Sequence, residues 1–168
     1  MVLISVVANG KQHLPISIVQ NNIKFERCDE FTFRYGLMIK VADVGWYSPH
    51  CDAASLLESS TKILRFYYHK DIKANFFKSS AEKYFILNLE TDSQKDTLIE
   101  PLLKFNQAYT NVLSGEYYHL LLKDDLQLSL FKNDSLLTTI ENKEFAVKYF
   151  NIWFGKNPVI KKLKTAFL

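Results

Sequence analysis

The predicted strands of this chain occur in groups, and so do its predicted helices. Several strand-like segments precede residue 45, one lies near residue 65, and three follow residue 116. Regular alternation of strand and helix would indicate a parallel sheet, whereas this grouping predicts an α+β fold, a large antiparallel sheet covered on one face by helices. The predicted strands are residues 16–20, 23–26, 31–35, 37–44, 63–68, 117–122, 126–131 and 136–140.

Short polar pairs separate several of these strands and predict tight turns. Asn21-Asn22 stands between the first two strands, Asp124-Asp125 lies in the later group, and Asn133-Asp134 precedes its last strand. Asn and Asp tolerate the left-handed backbone that two-residue hairpins need. The last three strands are therefore predicted to form an antiparallel meander.

The clearest helix lies between the two groups of strands. Its apolar side has spacings of one, three and four residues, as expected for a helix packed on a sheet. The residues on that side are Phe76, Phe77, Ser80, Ala81, Tyr84 and Phe85.

Other helices are predicted from their capping residues and from their phase. Asp52 is expected to cap a short helix, and Asn142 the helix that follows the meander. A helix from Ser93 should be kinked or split by Pro101, and Gly155 should end a helix in a left-handed conformation. A further short helix is expected to begin at Asn157-Pro158 and to run through Leu163.

Composition limits the classes of partner. The 168 residues suit one domain, 48% are hydrophobic, and 21 basic against 18 acidic residues leave a net charge of +3. No stretch of Lys or Arg is dense enough for a nucleic-acid site, and no segment is long enough to cross a membrane. No phosphate loop, metal-ligand spacing or other cofactor motif is present, so no cofactor is expected. The oligomeric state is left open.

The N-terminus admits two interpretations. Residues 2–8 are apolar but too short to span a bilayer, and no basic residue precedes them. They form either a first strand or the remnant of an export signal, and the second case would make the protein periplasmic or secreted. Residues 1–14 are therefore set apart from a single domain over residues 15–168. Cys28 and Cys51 are two ordinary thiols, or one disulfide if the protein is exported.

Arg34 lies within an apolar strand. A guanidinium on the helix-covered face is costly unless an anion or a carbonyl group meets it. If it faces solvent, it needs no explanation, and periodicity alone favours the solvent face.

Several motifs, in this order, resemble the chalcone isomerase-like family, in its bacterial branch. The resemblance extends from about residue 15 to the C-terminus, and its most specific part is the Ile-Trp-Phe-Gly-x-x-Pro ending. The segments that carry it are residues 33–36, 40–47, 66–72, 114–117, 145–146 and 152–158.

This resemblance implies an open-faced β-sandwich with a cleft between the sheet and the helices. The cleft holds a flavonoid in plant isomerases and a fatty acid in non-catalytic relatives. The family's arginine falls on Arg34, and its strand threonine falls on Ala42, which has no hydroxyl. Its helix tyrosine and asparagine fall near Phe76 and Lys83, or near Phe77 and Tyr84 in a shifted register. Its C-terminal hydroxyl residue falls on Leu163.

The loss of most of these polar groups favours binding over catalysis. Cyclising a phenolate onto an enone needs several convergent donors. One arginine in an apolar cleft instead suits the carboxylate of an amphipathic, fatty-acid-like ligand. The leading hypothesis therefore places the head group on Arg34, with Phe76, Phe77 and Tyr84 along the tail.

Two alternatives remain. The first is an isomerase or lyase acting on an enone-like substrate, in which Tyr67, Tyr84 or a buried Lys83 supplies the missing donors. The second is an accessory protein that acts through a partner, for which an exposed apolar patch away from the cleft would be expected.

Overall fold

A computed structural model describes residues 13–58 and 61–168, and within them the chain forms one antiparallel sheet and six helices. The interpretation of residues 2–8 lies outside the described residues. The strands are β1 (Ser17–Gln20), β2 (Ile23–Tyr35), β3 (Ile39–Ser48), β4 (Lys62–Tyr68), β5 (Tyr117–Lys123), β6 (Gln127–Lys132) and β7 (Ser135–Glu141). The helices are α1 (Ala53–Leu57), α2 (Ala74–Leu87), α3 (Asp92–Asn106), α4 (Lys143–Tyr149), α5 (Asn151–Phe154) and α6 (Lys161–Phe167).

The sheet is a seven-stranded meander in which each strand pairs with the next one along the chain. Asn21-Asn22, Asp124-Asp125 and Asn133-Asp134 all have φ between +48° and +67° at the predicted turns. These short polar residues reach the left-handed region at little cost, so the hairpins close tightly. The predicted α+β fold with its large antiparallel sheet is confirmed.

The helices pack on one face of this sheet. Leu64, Phe66 and Tyr68 alternate along β4 and are buried in the same core as Phe85 of α2 and Phe105 of α3. Side chains of odd number point to the opposite face because the period of a strand is two. A second, smaller cluster on that face contains Phe25, Tyr47, Ile63, Leu121 and Phe131.

Local capping follows the sequence closely. The Asp52 carboxylate accepts a hydrogen bond of 2.7 Å from Ser55 N at the start of α1. The Asn142 side chain accepts one of 3.0 Å from Phe145 N at the start of α4. Both predicted caps are confirmed. No helix within the described residues has the length and apolarity needed to cross a bilayer.

Pro101 lies inside α3 without splitting it, and Thr97, whose carbonyl loses its helical donor to the proline, is exposed to water. Three local predictions need correction. Residues 23–26 and 31–35 were predicted as two strands but belong to the single strand β2. Gly155 is not left-handed but has φ of −71°. The last helix begins at Lys161, three residues later than expected after Pro158.

Cys28 and Cys51 form a disulfide with Cα atoms 5.1 Å apart. Cys28 is the extra residue of a β-bulge, because Arg27 pairs with Tyr47 whereas Asp29 pairs with Trp46. A bulged residue has no partner on the facing strand, and here its side chain is joined to the segment that follows β3.

Candidate ligand cavity

A cavity of about 500 Å³ lies between the sheet and the helical layer. Strands β2 to β6 supply its floor, and α2, α5 and the segments before α2, after α3 and before α6 supply its other walls. The lining residues on the sheet are Phe33, Val41, Ala42, Val44, Phe66, Tyr68, Tyr118, Leu120 and Leu130. Those on the helical side are Ile72, Phe76, Phe77, Ser79, Ser80, Ala81, Lys83, Tyr84, Tyr109, Ile152, Trp153, Val159 and Ile160.

Aromatic rings form much of the wall. Phe77 stacks on Tyr109 with ring centroids 5.6 Å apart and meets Tyr68 and Tyr118 edge-on at 5.4 and 5.3 Å. Such offset and edge-to-face pairs hold rings in fixed orientations. The cavity is therefore bounded by interlocked side chains from both layers.

Two of the wall tyrosines direct their hydroxyls into the protein. Tyr118 donates to the Thr110 carbonyl at 2.8 Å and accepts from Thr110 N at 2.9 Å. The Tyr109 hydroxyl donates to that of Tyr149 at 3.0 Å, which in turn donates to Asn106 Oδ1 at 3.1 Å. Burial raises the pKa of Tyr109 and Tyr149 well above the usual value, so both stay protonated. The rings, rather than these hydroxyls, line the cavity.

Tyr68 differs from these tyrosines. It is 8% exposed and lines the cavity, and its hydroxyl makes no hydrogen bond to any described residue. Burial raises the pKa of Tyr68 well above 10, and the neighbouring Tyr109 and Tyr118 act in the same direction. Its hydroxyl is therefore a neutral donor that a polar group in the cavity can use.

Lys83 supplies the charge. Among the lining residues it alone carries a formal charge, and it is exposed, as are Phe76 and Ser79 on the same helix. Its ammonium lies 5.4 Å from the centroid of the Tyr84 ring. Residues that both line the cavity and meet solvent mark its mouth, so the mouth runs along α2 with a lysine at its rim.

The structure brings together five of the seven residues selected from the sequence. Ala42, Phe76, Phe77, Lys83 and Tyr84 all line the cavity. Ala42 comes from β3 and the others from α2. The helical spacing placed Phe76, Phe77 and Tyr84 on one side of α2 and Lys83 nearer the other, yet Lys83 also lines the cavity. Lys83 is exposed rather than buried, in contrast to the expectation for a catalytic lysine.

The expected inward orientation of Arg34 is wrong. Phe33 faces the cavity, and Arg34, the next residue along the strand, is exposed and does not line the cavity. A register shift between Phe33 and Arg34 leaves Val41 unpaired, so that Val41 and Ala42 both reach the cavity wall from β3. The Arg34 guanidinium faces solvent because consecutive residues of a strand point to opposite sides, and Phe33 points into the cavity.

Tyr67 also lies outside the cavity, because it points to the opposite face of β4 from Phe66 and Tyr68. Its ring is 5.1 Å from that of His69 and 4.7 Å from that of His13. Its cross-strand neighbour on β3 is Asp43.

Asp43 organises the polar groups on that face. Thr32 Oγ1 and His69 Nε2 lie 2.7 Å from its carboxylate oxygens, and the Lys40 ammonium lies 2.9 Å away. Burial raises the pKa of Asp43, but hydrogen bonds from Lys40, Thr32 and His69 outweigh it and leave the pKa below its usual value. No group of three or more His, Cys, Asp or Glu side chains among the described residues is arranged to hold a metal ion.

Sequence reasoning missed Tyr68, Tyr109, Tyr118 and Trp153 as wall residues. The alternation of β4 places Phe66 and Tyr68 on one face, which was the available signal for Tyr68. No local pattern identifies Tyr109, because it belongs to the irregular segment between α3 and β5.

Comparisons with known proteins agree with this architecture. A family model described as chalcone isomerase-like matches residues 29–168. The structure is similar to the crystal structure of a fatty-acid binding protein from Arabidopsis thaliana, with a TM-score of 0.63 and 11% sequence identity. That similarity covers 90% of this chain and 95% of the Arabidopsis chain. A search of curated protein sequences finds no significant match.

Proposed function

This chain belongs to the chalcone isomerase-like family, and we propose that it binds an amphipathic anion with a long apolar tail, of the fatty-acid class, without chemical turnover. The observation that carries the proposal is the cavity itself, a largely apolar volume that opens to solvent along α2, with one lysine at its mouth. The similarity in fold to a plant protein that binds fatty acids is in keeping with this choice.

The dimensions and lining suit a flexible hydrocarbon chain. About 500 Å³ falls within the range of small-molecule sites, whose walls are mostly apolar with few polar groups. Each methylene transferred from water into such a cavity contributes about 0.8 kcal/mol. The tail therefore supplies most of the affinity.

The head group is assigned to the mouth. A carboxylate beside Lys83 stays hydrated, so it avoids the cost of burying a charge. Lys83, rather than Arg34, is thus the cation proposed to contact the head group of the ligand. Tyr68 offers its hydroxyl deeper in the cavity to ligands that carry a second polar group.

Isomerase chemistry receives less support. Ala42 stands where the resemblance places a threonine, and Leu163, at the C-terminal hydroxyl position, is fully buried and does not line the cavity. With Arg34 and Tyr67 also outside, the cavity lacks the convergent donors that stabilise a developing oxyanion.

The disulfide bears on location. Disulfides persist in oxidising compartments, so the Cys28–Cys51 bond supports a protein that works in the periplasm or outside the cell.

The binding test compares three ligands of equal chain length by calorimetry: dodecanoate, dodecanol and dodecyltrimethylammonium. The protein is first stripped of lipid. We expect dodecanoate to bind more tightly than the cationic ligand, because Lys83 is the charge at the mouth. Lys83→Glu should weaken dodecanoate binding about tenfold and leave dodecanol unchanged, since an exposed ion pair contributes at most about 1 kcal/mol and the substitution reverses its sign.

Lys104→Glu, an exposed position on α3, serves as the matched control and should change neither ligand. Failure of both dodecanoate and dodecanol to bind the unmodified protein would overturn the proposal. If the Lys83 variant bound dodecanoate and dodecanol more weakly to the same extent, the head group would not lie beside Lys83.

A further inference from the structure

The hairpin between β2 and β3 ends in apolar side chains that project into solvent. Leu37 is 93% exposed, Met38 88% and Tyr35 73%, and Ile39, which pairs with Tyr35, is 48% exposed. Gly36 has φ of +63° and starts the three-residue turn. Residues 34–40 are called the hairpin tip below.

Turn geometry does not require this composition. Three other hairpins of the same sheet close through Asn21-Asn22, Asp124-Asp125 and Asn133-Asp134. Single exposed apolar residues are common, but a run of them at one projecting turn marks an interaction site. The apolar composition of the hairpin tip is therefore explained by contact with a partner rather than by the needs of the turn.

The flanking charges indicate the kind of surface. Arg34 and Lys40 are directly opposite each other across the hairpin, and like charges in such positions repel. Lys40 is compensated by Asp43 at 2.9 Å, whereas no ion pair of Arg34 is found in residues 13–58 and 61–168. An anionic partner would relieve this repulsion and engage the free guanidinium.

The shape of the tip distinguishes a membrane from a protein. A stable protein interface takes about 800 Å² from each partner, which four side chains on a narrow turn cannot supply. A bilayer needs only a few inserted apolar side chains, an aromatic ring at the level of the head groups, and cations beside anionic lipids. Leu37 and Met38 supply the inserted apolar side chains. Tyr35 supplies the aromatic ring, and Arg34 supplies the cation.

The hairpin is also part of the cavity wall. Phe33 and Ala42 are cross-strand partners, and both line the cavity just behind the tip. We infer that the hairpin tip docks onto anionic bilayer surfaces and places the cavity beside the membrane. Exchange of a lipid-like ligand at that position rests on the proposed function, but docking itself does not.

The test is co-sedimentation of lipid-free protein with vesicles of phosphatidylcholine alone or mixed equally with phosphatidylglycerol, neither containing free fatty acid. The unmodified protein should sediment with the mixed vesicles. Leu37→Ser with Met38→Ser should lower the partition coefficient at least about tenfold through lost apolar burial. Arg34→Gln should lower it about fivefold on mixed vesicles, with little effect on phosphatidylcholine alone.

Leu126→Ser provides the matched control. Leu126 is 55% exposed at another hairpin turn, next to Asp125, and its replacement should leave sedimentation unchanged. The inference is overturned if the unmodified protein fails to sediment with mixed vesicles, or if the double variant sediments equally well. It is also overturned if the tip instead mediates self-association, seen as a concentration-dependent size that the double variant abolishes without vesicle binding. Calorimetry with dodecanoate tests the cavity separately.

Discussion

Gly155 ends α5 at a point where the chain passes close to the end of α2. A Cβ atom there would lie within 3.0 Å of both Asn88 Oδ1 and the Asn151 carbonyl oxygen. Asn88 cannot easily move away, because it accepts from Asn157 N at 2.8 Å and donates to the Tyr84 carbonyl at 2.7 Å. The residue is a glycine because of close approach, and its φ of −71° is open to any residue.

Gly155→Ala is therefore expected to lower the free energy of unfolding by about 1–3 kcal/mol, the usual cost of forcing atoms into a packed site. Urea denaturation measures this. Gly36→Asn is the control, since nothing lies within 4 Å of its Cβ position and Asn accepts a φ of +63°. An unchanged unfolding midpoint for Gly155→Ala would show that Asn88 and its loop adjust without cost.

At the scale of elements, the β2–β3 pair combines a bulge, a disulfide and a second register shift. The bulge releases Cys28 from the ladder, and the disulfide joins it to Cys51, 23 residues along the chain. The second shift, at Phe33/Arg34, lets both Val41 and Ala42 of β3 reach the cavity wall. Both irregularities lie in the β2–β3 hairpin. This hairpin supplies part of the cavity wall and ends in the hairpin tip, so a change in its pairing would alter both.

Replacing both cysteines by serine is expected to lower the free energy of unfolding by about 2–4 kcal/mol, because closing a loop of this length restricts the unfolded chain. Urea denaturation with and without reductant measures it. Reductant should destabilise the unmodified protein and leave the double variant unaffected. Alkylation of protein isolated from its native cells without reductant should find no free thiol, and two reactive thiols would contradict the oxidising location.

At the scale of the whole molecule, the two faces of the sheet differ in how many buried polar atoms lack a hydrogen-bond partner. Among the described residues, the helix-covered face buries one side-chain polar atom without a hydrogen-bond partner, Trp46 Nε1. The other face buries four: Tyr47 OH, Arg65 Nε and both ring nitrogens of His119. His119 stacks on Phe131 at 4.6 Å and is opposite Arg65 in the sheet. Burial, with a smaller contribution from Arg65, lowers the pKa of His119 from 6.5 to about 4.

His119 should therefore make stability depend on pH. Between pH 6.5 and 4 the unfolded chain binds a proton that the folded protein does not, so the free energy of unfolding falls as the pH falls. Above pH 6.5 His119 causes no loss in the free energy of unfolding. By pH 4 this free energy has fallen by about 3 kcal/mol. His119→Phe should remove this loss, as measured by urea denaturation at a series of pH values. An equal slope in this variant would assign the effect to other groups.

The sequence by itself determined most of the elements and their order. Hairpin turns at Asn-Asn and Asp-Asp pairs, caps at Asp52 and Asn142, and the apolar side of α2 all depend on interactions within a few residues, which local patterns encode. Together with the grouping of strands, they were sufficient to predict the sheet and its helical cover.

The tertiary structure decided the site. Whether Phe33 or Arg34 faces inward depends on which side of β2 the helices cover and on the bulge at Cys28, which reverses the alternation of side chains along β2. Periodicity favoured the solvent face for Arg34, but only the folded sheet decides its orientation. The cavity is the space left between side chains from ten separate parts of the chain, so its volume is set by packing across long sequence distances. For the same reason Tyr68 and Lys83, fifteen residues apart, become polar groups of one pocket only in the folded protein.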